Sequence, residues 1–332
     1  MSQPTTPAGR GSAGVSMSSP AGRSVPPPSG RDRHLAEVGV LMVMAFWAGN
    51  FIAIKGALDV IPPIAFTFLR FSLACVILLA VLRWREGTIA VARRDLPALI
   101  ALGILGFGLY QILWTTALGG ISAGDSAVLI ATSPVMTALL SVALGTDSLT
   151  PAKLIGALVS FAGAVVVIAA GTGLDLAGEA IYYFVTLLAA ACWATYSAFG
   201  GPILRRHSPL RATTWATLVG TAVMAVPGLL QLSTVNPAAV GANEVIAIVY
   251  SGTLAAGIGN VVVLYGVGLL GPTRVTALQT LVPALAVILA FLILAEPIRP
   301  GQVLGGAIIL VGVALTRFGP RGRGGAARGV AA

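Results

Sequence analysis

Ten apolar runs, each close to the length of a bilayer crossing, follow one another along this chain with only short breaks between them. They lie near residues 35–56, 63–83, 96–118, 123–145, 152–170, 179–199, 210–231, 244–268, 273–294 and 301–317. A helical crossing takes about 20 apolar residues at a rise of roughly 1.5 Å each. Inside lipid, a backbone group left without a partner costs several kcal/mol, so such runs must coil into helices. The pattern predicts an all-α integral membrane protein of ten transmembrane helices. Breaks carry the expected turn-forming residues: Ile61-Pro62-Pro63, Gly171-Thr172-Gly173, Ser208-Pro209, Gly271-Pro272 and Glu296-Pro297. Only 9% of the 332 residues are charged, against about a quarter in soluble domains. That excludes an ordinary water-soluble enzyme.

The formal charge of +9 does not indicate nucleic acid, because the basic residues sit at the ends of apolar runs and not on a water-exposed domain. Placing the N-terminus inside puts all of the 20 Lys and Arg except Lys55, Arg70 and Arg299 on the cytoplasmic side. The expectation is a multi-pass protein of the cell membrane with both termini cytoplasmic. Residues 1–34, rich in Pro, Ser, Gly and Arg, are expected to form a disordered cytoplasmic tail. No apolar segment precedes Leu35, so the first run reads as a retained span and not a cleaved signal. Residues 318–332, with Arg321, Arg323 and Arg328, are expected to be a basic disordered tail acting as a topology signal. Cys75 and Cys192 lie inside apolar runs and read as small hydrophobes.

The chain also repeats itself. A shift of 149 residues lays 110–166 over 259–315, bringing Pro134 onto Pro283, Pro151 onto Pro300, Gly156 onto Gly305, Gly163 onto Gly312 and Asp147 onto Glu296. A shift of 146 pairs Trp47-Ala48 with Trp193-Ala194 and Pro63 with Pro209. The expected organisation is a first repeat over 35–170 and a second over 179–317, with five spans each. Five is odd, so the second repeat enters the membrane upside down. Inverted repeats are a transporter architecture, with the substrate site near the midplane where the halves meet.

These segments resemble the EamA permeases of the drug/metabolite transporter superfamily. The resemblance rests on Phe46-Trp47-Ala48-Gly49-Asn50-Phe51-Ile52-Ala53-Ile54-Lys55, on Pro63 followed by Arg70-Phe71, on Pro283, and on Glu296-Pro297-Ile298 with Gln302, Gly305-Gly306 and Gly312-Val313. It covers roughly residues 37–317. One departure is Asp147, where the family's first-repeat loop more often carries Glu; the charge is kept. The resemblance implies a secondary carrier of small metabolites, amino acids or drugs, often an exporter, working by alternating access. It names no substrate, since one scaffold serves chemically different solutes.

Polar residues within spans are the candidate site, because burying them in lipid is costly. Arg70 stands about seven residues, roughly 10 Å, from the outer end of its span. A guanidinium there can receive a carboxylate or phosphate through two parallel hydrogen bonds; the competing account is a side chain snorkelling outward or bonding helix-end carbonyls. Asn50, Gln111, Asn260 and Gln279 are span amides that either meet substrate or join helices. Trp47, Tyr110, Trp114, Trp193, Tyr196 and Tyr265 are candidate aromatic walls, with interfacial anchoring or packing as the alternative. Lys55, Asp125, Pro134 and Pro283 are candidates for gating or coupling, the prolines as paired bends and Asp125 as the carboxylate nearest to a proton-coupling position. Asp147 and Glu296 are expected to cap the helices that follow them. Gly301, Gly305, Gly156 and Gly163 provide close packing, either of the two equivalent helices on each other or on a second protomer.

Other classes find little support. His34 and His207 are far apart in sequence, and neither a metal-ligand pattern nor a phosphate-cradling loop occurs. No catalytic residue, metal or cofactor is expected. Nor does a filter-like repeat or a ring of acids suggest a channel. The expected partners are a small-molecule substrate and the lipid bilayer, not nucleic acid; proton coupling and a homodimer stay open. The alternative reading is a non-transporting receptor or assembly factor on the same scaffold.

Overall fold

The computed structural model describes residues 30–172 and 178–318. Ten helices among them are long and apolar enough to cross a membrane: α1 (Gly30–Ala57), α2 (Pro63–Glu86), α3 (Arg93–Gly120), α4 (Ala123–Ala143), α5 (Pro151–Thr172), α6 (Ala180–Phe199), α7 (Pro209–Leu232), α8 (Ala242–Leu270), α9 (Arg274–Leu294) and α10 (Pro300–Arg317). No strand occurs among the described residues. The outer surface carries exposed Val76, Leu158, Leu230 and Leu292, an apolar coat that suits lipid and not water. The protein is an all-helical, multi-pass membrane protein.

One boundary needs correction. α1 begins at Gly30, so the last five residues of the expected N-terminal tail are helical. Residues 30–34 are exposed, and Asp32 in the first turn favours the positive helix end; a polar extension in water is not visible to a hydropathy reading. The last helix likewise runs on to Phe318. The other tail residues, with Arg321, Arg323 and Arg328, lie outside the described residues.

Irregularities recur at matching places in the two halves. α3 loosens into a π-helical segment over Ile104–Leu109, and α8 does the same over Ser251–Ile258. Both segments end immediately before residues that the 149-residue shift superimposes. Wide turns of this kind often mark functional sites. α4 breaks between Ile130 and Ser133, just before Pro134; α9 breaks at Thr280, just before Pro283. A threonine hydroxyl serves each break, Thr132 donating to the Leu129 carbonyl (2.7 Å) and Thr280 to that of Ala277 (2.6 Å). Carbonyls freed within a span are re-satisfied in this way.

Close packing joins the halves. α5 and α10 form the most extensive helix pair in the molecule and run antiparallel. A Cβ at Gly156 would lie 2.6 Å from the Gly312 carbonyl oxygen, and one at Gly163 would lie 2.7 Å from that of Gly305. Under the 149-residue shift the first contact maps onto the second. This resolves the packing alternative in favour of the two equivalent helices meeting each other. A second mapped pair lies deeper. A Cβ at Gly252 would stand 2.6 Å from the Arg70 carbonyl oxygen, and one at Gly103 2.8 Å from that of Ala216. Each half's second helix therefore crosses the other half's π segment, the pattern expected of halves related by an axis in the membrane plane.

Candidate functional site

A cavity of about 890 Å³ opens between the halves. At one end its lining reaches Asp147, Ser148 and Lys153 of the α4–α5 loop region and Arg317 at the end of α10. We call this the Lys153 end and its opposite the Lys55 end. From there the cavity runs inward past both prolines, Pro134 and Pro283, to Trp47, Asn50, Phe51, Arg70 and Trp114.

Arg70 stands on α2 with only 2% of its surface exposed. Its Nη1 donates to Ser251 Oγ (3.1 Å) and its Nη2 to Gln111 Oε1 (2.6 Å). Ser251 in turn donates to Asn50 Oδ1 (2.5 Å). The guanidinium carbon lies 4.6 Å from the Phe71 ring centre and 5.6 Å from that of Trp114, within cation–π range. Arg70 Nε is buried without a hydrogen-bond partner, and none of the ion pairs among the described residues includes Arg70. One loosened turn of α8 thus brings a second-half serine to a first-half arginine.

Aromatic rings wall the same region. Tyr110 stacks on Trp114 at 6.0 Å and meets Trp193 at 5.2 Å, while Phe51 stands edge-on to Trp114 at 5.0 Å. Trp47 Nε1 donates to the Ala255 carbonyl (3.0 Å) within the π segment of α8. Pairs of this type contribute about 0.5–1.5 kcal/mol beyond area burial, which makes the wall stiff.

The Lys55 end is sealed. Asp125, wholly buried at the start of α4, pairs with Arg299. It also accepts from Gln302 Nε2 (2.8 Å) and the Tyr183 hydroxyl (2.8 Å). Glu296 accepts from the backbone N–H groups of Ala123 (3.0 Å) and Gly124 (3.4 Å), and an acid at a helix N-terminus is favoured by about 0.3–1 kcal/mol. Lys55 Nζ donates to the Leu118 and Gly119 carbonyls at the opposite pole of α3 (3.0 and 3.1 Å). Together these contacts lock α3, α4 and α6 to α1 and α10.

At the Lys153 end Asp147 and Lys153 pair at the mouth (2.6 Å), and three further clusters stand at the perimeter. Asp95 meets Arg206 (2.6 Å) and His207 (2.9 Å), Glu86 meets Arg211 (2.7 Å), and Glu37 meets Arg274 (2.8 Å). None of the residues in these three clusters lines the cavity.

Of the residues singled out by sequence, the cavity brings together Trp47, Asn50, Arg70, Tyr110, Gln111, Trp114, Trp193, Asn260, Gln279, Pro134 and Pro283. Four stand elsewhere. Tyr265 is 54% exposed on the outer side of α8 and does not reach the cavity. Tyr196 packs beneath Phe107 and Trp193 without lining it. Lys55 and Asp125 belong to the sealed end. Glu296 caps the helix of the other half, not its own α10, because the chain turns sharply at Ala295 (φ 55°), a left-handed alanine. Sequence reasoning gave no site role to Ser251, Tyr183, Arg299 or Gln302. Three of these bond across 174, 177 and 58 residues to Asp125, and no local pattern announces pairings at that separation.

Comparison with known proteins is consistent along the length. The model of the EamA-like transporter family matches residues 34–169 and 180–318. An uncharacterized transporter of Archaeoglobus fulgidus is 30% identical over 276 residues, covering 83% of this chain and 94% of its own. A probable terminal-alkyne amino-acid exporter of Streptantibioticus cattleyicolor is 30% identical over 289 residues, covering 86% and 94%. A probable amino-acid metabolite efflux pump of Salmonella typhimurium is 26% identical, covering 85% and 95%. A solved crystal structure superposes with a TM-score of 0.62 at 22% identity, over 86% of this chain and 98% of its own, and speaks to the fold alone.

Proposed function

The chain belongs to the EamA-like transporter family and is a membrane transporter, and from that premise we propose that it exports a small organic solute by alternating access. The observation that carries this reading is the cavity, open at the Lys153 end and locked at the Lys55 end by Asp125 with Arg299 and by Glu296 on α4. The distribution of Lys and Arg supports a cytoplasmic Lys153 end, so the cavity is in its loading state. The amino-acid names of two relatives support an amino acid or a close derivative as the solute class.

Alternating access needs a second state in which the closed and open ends exchange. The repeat, read as inverted over 35–170 and 179–317, supplies the parts. Under the 149-residue shift Glu296 corresponds to Asp147 and Asp125 to Arg274. In the present state Asp147 holds Lys153 (2.6 Å) and Arg274 holds Glu37 (2.8 Å). In the reversed state Asp147 closes on the start of α9 beside Arg274. Proton coupling in this reading runs through the same lock: protonation of Asp125 removes the charge that holds Arg299.

Counterflow of labelled amino acids in proteoliposomes tests the carrier. Exchange that accelerates with unlabelled solute inside is the expected result; binding without exchange for every solute points to a receptor instead. Gradient-driven flux should vanish in Asp125→Asn, and unchanged flux removes Asp125 from coupling.

A further inference from the structure

We propose that Arg70, with Ser251, Asn50 and Gln111 around it, forms a carboxylate subsite, and that the solute carried is a monovalent carboxylate with an apolar or aromatic body. The proposal deepens the carrier reading and rests on it.

The argument begins with an imbalance of charge. A buried cation is costly unless an anion and hydrogen bonds compensate it. Arg70 is buried, yet its hydrogen-bond partners are a neutral hydroxyl and a neutral amide. Of the five N–H donors of a guanidinium, these bonds use two, and the buried Nε–H has no hydrogen-bond partner among the protein groups. Arg70 lines the cavity, and a carboxylate arriving there can take parallel bonds from the guanidinium donors left over. The lining as a whole leans the same way. It holds three cations, Arg70, Lys153 and Arg317, against one acid, Asp147. Lys153 is engaged by that acid at the mouth, which leaves the positive excess to Arg317 at the entrance and Arg70 at the inner end.

Charge magnitude chooses between oxyanions. A phosphate monoester carries about −1.5 to −2 at neutral pH, and one guanidinium among aromatic rings neutralises a single unit. A carboxylate balances it. The rings of Trp47, Tyr110, Trp114 and Trp193 then receive the remainder of the solute, as apolar pockets with few polar groups do. The competing role for Arg70 is a strut tying α2 to α3 and α8 through its two bonds. A strut does not distinguish an acid from its amide.

The test uses the full chain purified in detergent, with tryptophan fluorescence as the readout, since Trp47, Trp114 and Trp193 line the cavity. The probes are leucine, phenylalanine, phenylacetate and hexanoate, the amide of each, and phenyl phosphate. At least one acid should bind about tenfold or more tightly than its own amide and than phenyl phosphate, the expectation for a charge-assisted bidentate contact. Arg70→Gln should shrink that preference below about threefold, and Arg70→Lys should retain part of it. Should Arg70→Gln fail to fold, Ser251→Ala serves: it should weaken the acid severalfold and leave the amide unchanged. Acids that bind no better than their amides, or a preference that survives Arg70→Gln, overturn the subsite. Counterflow separates this from the carrier reading. An acid that binds yet never exchanges sinks the carrier and keeps the subsite, whereas an amide exchanged as fast as its acid sinks the subsite and keeps the carrier.

Discussion

At two places in this molecule a helix of one half crosses the other half on a glycine in or next to its π segment: α2 at Gly252 and α7 at Gly103, the residue before Ile104. The backbones meet alike, carbonyl against glycine, but the side chains differ. One crossing carries Arg70, with Ser251 and Gln111 to bond it; the other carries Ala216, and the shift that maps Gln111 to Asn260 maps Ser251 back to Leu102. The duplicated scaffold thus bears unduplicated chemistry. Equivalence of backbone suits the proposed exchange of open and closed ends. Asymmetry of side chains is what the proposed single carboxylate subsite requires, since a symmetric protein would have two. The ends repeat the lesson with charge inverted, Asp125 at the sealed end standing where Arg274 stands at the open one.

The comparison breaks most visibly where the halves are packed tightest. Gly156→Leu and Gly305→Leu each drive a side chain into a backbone carbonyl that would lie only 2.6–2.7 Å from its Cβ. Overpacking of this kind costs about 3 kcal/mol or more. Both variants should lose the monodisperse peak in size-exclusion chromatography to the same extent, and a large difference between them contradicts the twofold mapping.

A smaller loss is expected from Ala216→Arg, which gives the second crossing the charge of the first. Without a serine opposite, the guanidinium is buried with fewer partners, at a cost of about 2–4 kcal/mol. The variant should melt markedly lower than wild type, and carboxylate binding should not double. A neutral outcome means that the second crossing has partners for a charge after all.

The locks at the two ends should respond unequally. Arg299→Met strands a buried Asp125, and because Arg299 is itself about one-third exposed (32%) the loss is discounted to about 2 kcal/mol. That is roughly a thirtyfold shift toward the state open at the Lys55 end, readable as faster labelling of Phe51→Cys by an impermeant thiol reagent confined to the Lys55 side of the membrane. Arg274→Met breaks a present-state pair at a side chain that is 57% exposed, so it should speed the same labelling by less than about fivefold. Equal effects at both ends overturn the assignment of the present state.

Least of all is the change at the turn that aims Glu296. Ala295 holds a left-handed conformation that costs an L-residue about 1–2 kcal/mol. Ala295→Gly relieves this against the entropy that glycine adds to the unfolded chain, so a gain of about 0.5–1 kcal/mol in thermal stability is expected.

The residues divide by how far their information reaches. The ten spans were legible because a crossing is a local requirement: every backbone group in lipid must bond within its own helix, and apolar length is written along the chain. The matched prolines, Pro134 and Pro283, announced the paired breaks for the same reason, since a missing N–H acts on its own helix. Tyr265 and Tyr110 look alike in sequence, yet one lies on the outer surface and the other in the cavity wall. Nothing within one span says which way it rotates in the bundle.

By itself, then, the order of amino acids determined the number of helices, their duplication and the inventory of polar groups buried among them. Only the tertiary structure decided that Arg70 takes Ser251 from across 181 residues and that Asp125 takes Arg299 from across 174. Hydropathy acts residue by residue on the chain's own backbone, whereas a charge finds its partner through the packing of helices that meet only when the whole bundle has closed.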